Sequence, residues 1–190
     1  MYKYNGSLNN ICSLPSGYSF EPSYYDENGQ YQLITIKNVN GVFVDAQKTD
    51  RLSIIPPKMK PFCNLKVGDI LISLTGNVGR ISINTIANSL LNQRVSKMIC
   101  DDKYKFYLYL LLNTNFYQTK LIRLATGTSQ KNLSPIDVEN LPIYIPEDID
   151  EFNKSTAKIL NCLCNINIQT EKFYAIKNKL LPLLINGQLQ

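Results

Sequence analysis

The chain has 190 residues, 44% of them hydrophobic and 18% charged, inside the globular range and outside the disordered one. Its net charge of +5, with a pI of about 8.9, permits an anionic partner without requiring one. Histidine is absent, which excludes His-based metal sites, Ser-His triads and Cys-His dyads, and the five scattered cysteines fit a reducing cytosol better than a disulfide framework.

The opening Met1-Tyr2-Lys3-Tyr4 leads into polar sequence, not an apolar signal core, and no apolar run reaches membrane-spanning length. Residues 1–30 carry Gly6, Pro15, Gly17, Pro22 and Gly29 among tyrosines and serines, so little regular structure is expected there. The stretch "YQLITIKNVNGVFVD" then predicts two short strands around Asn38-Val39-Asn40-Gly41, with Asn40-Gly41 as a hairpin signal. Pro56-Pro57 and Pro61 interrupt the chain before "VGDILISLTGNVGRISI". That segment predicts an Ile/Leu-rich strand over 70–74, a Gly-Asn-Val-Gly corner and a second strand from Arg80. A further strand is expected over 94–100. From Lys103 to Leu124 the apolar spacing is helical, through Phe106, Leu110, Asn113, Tyr117, Leu121 and Leu124. Pro135 and Asp137 open a short turn or helix, and "LPIYIP" is a strand or extended piece fenced by prolines.

The last forty residues change character. Phe152, Thr156, Ile159, Leu163, Ile166, Thr170, Phe173, Lys177, Leu180 and Leu184 alternate by four and three, a seam of nearly heptad period. Gly and Pro are absent from 147 to 181, which predicts a helix longer than a small domain is wide, and Pro182 is expected to kink or end it. One compact domain cannot wholly cover so long a seam, which calls for a helical partner. The competing arrangement is a terminal helix lying along its own domain.

No catalytic constellation stands out. Cys162 and Cys164 sit two apart on a predicted helix and point to different faces, against a shared metal. Asp101-Asp102 fits a turn between strand and helix better than an acid–base pair. "TGNVGR" at 75–80 is no P-loop, since it lacks the Lys-Ser/Thr pair and the helix that must follow. Nor does its GxxG join helices, as a KH clamp would. What remains is a tight strand corner presenting Thr75, Asn77 and Arg80. "NQRVSK" at 92–97 places Gln93, Arg94 and Lys97 near a strand start, either as a solvated edge or as side chains suited to base edges. The run Gly127-Thr128-Ser129-Gln130-Lys131-Asn132 has no carboxylate and no aromatic. Its hydroxyls, amides and single lysine suit phosphates and base edges, and they equally suit an ordinary exposed connection.

In order, Gly68-Asp69-Ile70-Leu71, Gly76 and Gly79, Gly127 to Ser134, Leu141-Pro142-Ile143 to Pro146, and a long helix ending in Leu-rich sequence and Gly187 resemble the DNA-specificity subunit of type I restriction–modification systems. The resemblance runs over roughly residues 15 to 189 and rests on order and spacing more than on any one motif. It departs after Pro146, where Glu147-Asp148-Ile149-Asp150-Glu151-Phe152 stands in place of a proline-rich turn into Glu-Gln.

The resemblance implies an α+β fold, with a mixed, mostly β target recognition domain over 1–146 and a long coiled-coil-type helix over 147–190. A full subunit of that family has two such units with antiparallel helices, so this chain is expected to be a half-subunit or a fragment. The implied role is non-catalytic recognition of double-stranded DNA in the cytoplasm. Methyl transfer with S-adenosylmethionine and ATP-driven cleavage would belong to methyltransferase (M) and restriction (R) subunits, and this chain would hold no cofactor or metal. DNA contacts are then expected from Lys37, Asn38, Thr75, Asn77, Arg80, Gln93, Arg94, Thr128, Ser129, Gln130 and Lys131. A homodimer is expected through antiparallel helices, using Ile159, Leu163, Ile166, Phe173 and Leu180. The other reading is a module that docks a larger assembly through its long helix and binds no DNA.

Overall fold

Short apolar runs fenced by turn residues become short strands, and the two helical periodicities become helices. A computed structural model describes residues 3–47, 49–128 and 130–188. Its elements are β1 (Gly6–Ser7), β2 (Cys12–Ser13), β3 (Tyr31–Ile34), β4 (Asp50–Leu52), β5 (Asn64–Leu65), β6 (Ile70–Ser73), β7 (Ile81–Ile83), β8 (Ser89–Leu91), β9 (Val95–Lys97) and β10 (Ile99–Cys100). There follow α1 (Asp102–Leu112), α2 (Asn115–Leu124), α3 (Pro135–Glu139), β11 (Pro142–Ile143) and α4 (Ile149–Ile185). One sheet has the order β4-β3-β8-β5 and another β7-β6-β9, while β1 pairs β11 and β2 pairs β10. Only β3 and β8 run parallel among these pairs. The mixed α+β class follows, with a long C-terminal helix.

All four residues of β6 are buried, because the strand is covered on both faces. Ile70 and Ile72 pack with Ile81, Ile83, Leu108, Leu112 and Leu121 under the helices. Leu71, pointing the other way, joins Ile34, Leu91 and Val95. A strand with two covered faces needs an unbroken apolar run, as "ILI" supplies. The same region holds a buried ion pair: Lys97 Nζ lies 2.6 Å from Asp69 Oδ2, which also accepts from the Lys66 N–H at 2.7 Å.

Three sequence expectations are corrected. The Asn40-Gly41 turn does not close a hairpin. The antiparallel partner of β3 is β4, and residues 42–44 lie along β7, with the Ile83 N–H donating to the Val42 carbonyl and the Val44 N–H to that of Ile83. Asn38 sets this turn: its side-chain oxygen accepts from the Thr35 N–H and hydroxyl, and its amide donates to the Asp45 carbonyl. The run from Lys103 to Leu124 is two helices, not one. Thr114 ends the first by donating to the Leu111 carbonyl and caps the second by accepting from the Tyr117 N–H. Pro182 does not end α4, which continues to Ile185. A proline so near the C-terminus removes only one donor, and the carbonyls of Pro182, Leu183 and Leu184 accept from Asn186, Gln188 and Gly187.

At 37 residues, α4 is roughly 55 Å long. Its first half packs on α1, where Phe152 meets Tyr107 edge-to-face at 5.9 Å and Cys164 enters the core. Asn167 donates to the Thr85 hydroxyl at 2.8 Å. From Lys172 to Pro182 every residue is exposed.

Candidate nucleic-acid interface

The C-terminal end of β6 is where the candidate residues converge. The chain leaves β6 at Ser73 and returns at Arg80, whose carbonyl accepts from the Ser73 N–H at 2.9 Å. Inside this corner the Ser73 hydroxyl donates to the Asn77 carbonyl at 2.6 Å and accepts from the Arg80 N–H at 3.1 Å. Gly79, at φ +76°, abuts α2 so closely that a Cβ would lie 2.9 Å from Leu121 Cβ.

The second loop, 126–132, is a small hairpin. The Thr126 and Asn132 backbones exchange two hydrogen bonds of 2.9 and 2.8 Å, and Gly127 turns the tip at φ +99°. Here only glycine fits, since a Cβ would sit 2.4 Å from the Gln130 carbonyl oxygen. The two loops are joined to each other: the Gly76 N–H donates to the Lys131 carbonyl at 2.9 Å, and the Leu133 N–H to that of Leu74 at 2.7 Å. A third segment closes the group, because the Leu74 N–H also donates to the Arg94 carbonyl at 2.9 Å. Three loops distant in sequence therefore form one hydrogen-bonded rim.

Lys37, Gln93 and Arg94 are exposed and share an open cavity of about 230 Å³ with Thr35, Ile36, Asn92 and Asp50. Thr75 is half-buried and Asn77 exposed on the corner, while Thr128, Gln130 and Lys131 are exposed on the hairpin. Ser129 lies outside the described residues. Arg80 is half-buried, and its guanidinium donates to Asn40 Oδ1, which fixes the direction of its charge. Asn38 departs from the expected set: it is buried, with its amide engaged inside its own turn, so it shapes the loop that carries Lys37 instead of reaching outward.

Two ion pairs occur among the described residues, Lys97–Asp69 and Lys105–Asp102, and neither uses Lys37, Arg80, Arg94 or Lys131. Arg80, Arg94 and Lys131 stand on the rim and Lys37 shares a cavity with Arg94, with hydroxyl and amide groups nearby, a set able to hold phosphates and to meet base edges. Sequence reading missed the bracing roles of Asn40, Ser73 and Asn132. None is charged, and no spacing links 40 to 80 or 75 to 132 along the chain. Among the described residues, no group of three or more Cys, Asp or Glu could hold a metal ion, and no helix is long and apolar enough to cross a membrane.

On the helix, Leu163 is half-buried, whereas Ile159, Ile166, Phe173 and Leu180 are 51%, 54%, 71% and 40% exposed at seven-residue intervals. Cys162 is exposed and Cys164 buried, as their spacing implied.

Comparison with known proteins gives a consistent result. The family described as the type I restriction modification DNA specificity domain matches residues 4–181. The HindI type I restriction enzyme specificity subunit of Haemophilus influenzae is 30% identical over 183 residues, covering 94% of this chain and 39% of that one. The MjaVIII type I restriction enzyme specificity subunit of Methanocaldococcus jannaschii is 26% identical over 195 residues, covering 96% and 45%. In fold, the chain is similar to the type I restriction–modification S subunit from M. genitalium, with a TM-score of 0.52, 18% identity, and 92% and 46% coverage. The chain spans less than half the length of each of these relatives.

Proposed function

The chain belongs to the family of type I restriction–modification DNA specificity domains, and from that premise we propose that it is a non-catalytic reader of duplex DNA. It guides methyltransferase and restriction subunits, in the cytoplasm, to a split site. Residues 1–146 are the target recognition domain and 147–190 the spacer and dimerisation helix. The observation that carries this reading is the joined rim: Gly76 bonded to Lys131 and Leu74 bonded to Arg94 bring three polar, basic loops to one end of β6. Lys37, Arg80, Arg94 and Lys131 hold phosphates there. Thr75, Asn77 and Gln93 are the positions for base reading, with Thr128 and Gln130 supporting the hairpin tip.

The helix supplies the second half of the site. Ile159, Ile166, Phe173 and Leu180 leave an exposed apolar line with a period of seven, the geometry that a second helix covers. Two copies joined antiparallel present two rims related by a two-fold axis, which suits a symmetric, interrupted DNA sequence.

Both parts are tested together. Lys131→Ala, Arg80→Ala and Arg94→Ala each weaken duplex binding on all sequences and flatten its salt dependence by about one ion, while Lys172→Ala, on the distant helix, leaves it unchanged. Equal losses at all four positions would replace the site with diffuse electrostatics, and no salt-dependent binding at all would favour a docking module. Light scattering at tens of micromolar is expected to give a dimer that becomes a monomer on Ile166→Asp with Phe173→Asp. A monomeric wild-type chain would remove the dimer.

A further inference from the structure

The end of β6 opposite the rim holds a pair of thiols that DNA recognition does not use. β2 and β10 pair antiparallel, with Cys12 directly opposite Cys100. Directly opposed residues of an antiparallel pair project to the same face, with Cα atoms about 4.5–5.5 Å apart, inside the span a disulfide bridges. Both residues are free thiols, Cys12 buried and Cys100 half-buried, and the Cys12 thiol donates to the Ser13 carbonyl at 3.5 Å. Together they line an open surface cavity of about 600 Å³, with Asn9, Ile99, Lys103 and Tyr104 around them, so a small molecule can reach them.

We propose that Cys12 and Cys100 are a redox-active dithiol that a small-molecule disulfide oxidises to a reversible cross-strand bond. The two thiols are not equivalent. The adjacent Cys12 side chain, and then the positive charge of Lys105, hold the Cys100 thiol below its usual range, against burial and the carboxylates of Asp101 and Asp102. Cys12 is pushed up, first by the Cys100 side chain beside it, then by burial, with Glu139 adding to it. Cys100 is therefore the thiolate that attacks, and Cys12 the resolving thiol. The Cys100 sulfur attacks one sulfur of the small disulfide, forming a mixed disulfide and releasing one small thiolate. Cys12 then loses its proton to solvent, and its sulfur attacks Sγ of Cys100, expelling the second small thiolate. Two protein thiols lose two electrons and two protons, and one small disulfide becomes two small thiols.

Reversibility has a geometric cause. Cβ atoms opposed across strands stand about 4.5–5.5 Å apart, whereas disulfides favour about 3.5–4.5 Å, so the bond forms under slight tension and is readily reduced. It would pin the N-terminal segment, already tied down by β1 on β11 and by the Leu14 N–H donating to Glu139, to the strand that leads into α1. That helix is the platform of α4. Closing a loop of this length raises the melting temperature by roughly 5–10 °C.

The test uses the full chain with oxidised glutathione, followed by alkylation, digestion and mass spectrometry. The expected product is a peptide pair linked through Cys12 and Cys100, with a raised melting temperature that dithiothreitol reverses. Cys12→Ser, lacking the resolving thiol, is expected to hold glutathione on Cys100. Cys162, exposed and alone, serves as the internal control for simple glutathione addition. Wild-type chain in which both thiols stay alkylatable, or carry glutathione without linking, would overturn the proposal. So would a linked product that melts below the reduced chain, because the bond would then not fit the native strand register.

Discussion

Replacing Gly127 by alanine probes the rim at its most constrained point. At φ +99° an L-residue is disfavoured by about 1–2 kcal/mol, and the added Cβ meets the Gln130 carbonyl oxygen at 2.4 Å, far inside contact distance. The hairpin tip cannot absorb such an overlap by a small shift, so it must open. Opening it forfeits the two Thr126–Asn132 backbone hydrogen bonds, about 1 kcal/mol each. The expected destabilisation is then about 2–4 kcal/mol, below the roughly 5–15 kcal/mol that holds a domain together. The variant should therefore fold, with a lower urea midpoint and an unchanged slope, while Lys131 and Gln130 lose their positions. If the chain reads DNA as proposed, its affinity for the preferred duplex, measured with a methyltransferase subunit present, should fall about tenfold or more. Gly68 provides the control. It has φ +89° but open space where a Cβ would go, and it lies at the opposite end of β6. Gly68→Ala should cost about 1–2 kcal/mol of stability and leave DNA affinity alone. Wild-type affinity in Gly127→Ala, or an equal loss in Gly68→Ala, would refute the reasoning.

Asp69→Ala leaves Lys97 buried without its partner and should cost about 3–5 kcal/mol in urea unfolding. Adding Lys97→Met should recover most of that, and no recovery would show that the pair is not the cause. Gln130→Ala should reduce binding to preferred and random duplex alike if the residue braces the hairpin. A loss of about 1–3 kcal/mol confined to the preferred site would instead make Gln130 a base reader. Tyr107 donates its hydroxyl to the Tyr144 carbonyl, and burial followed by the Tyr144 side chain pushes its pKa up to about 12. Because the folded state favours the neutral phenol, this contribution is complete below pH 10 and is lost as the pH rises towards 12. Tyr107→Phe should flatten stability across that window, and an unchanged alkaline slope would show that another group is responsible.

Much of this protein was legible from one dimension. Continuous Ile/Leu runs between glycines set strand β6, because a strand covered on both faces has no polar side to alternate with. A stretch free of Gly and Pro from 147 to 181, with apolar residues every three or four, set most of α4, and the missing histidines removed whole classes of chemistry. Even the candidate loops could be named, since hydroxyl, amide and basic side chains announce their bonding capacity wherever they stand.

Tertiary structure decided what those residues do together. Asn40-Gly41 has the local chemistry of a hairpin, yet pairing of residues 42–44 with β7 prevailed, and Asn38 turned inward as its brace. No spacing in the sequence shows that Gly76 bonds to Lys131, or that Cys12 faces Cys100 across 88 residues. Such contacts are fixed by strand order and register, which depend on burying two cores at once, and a linear pattern specifies only which face of each element is apolar.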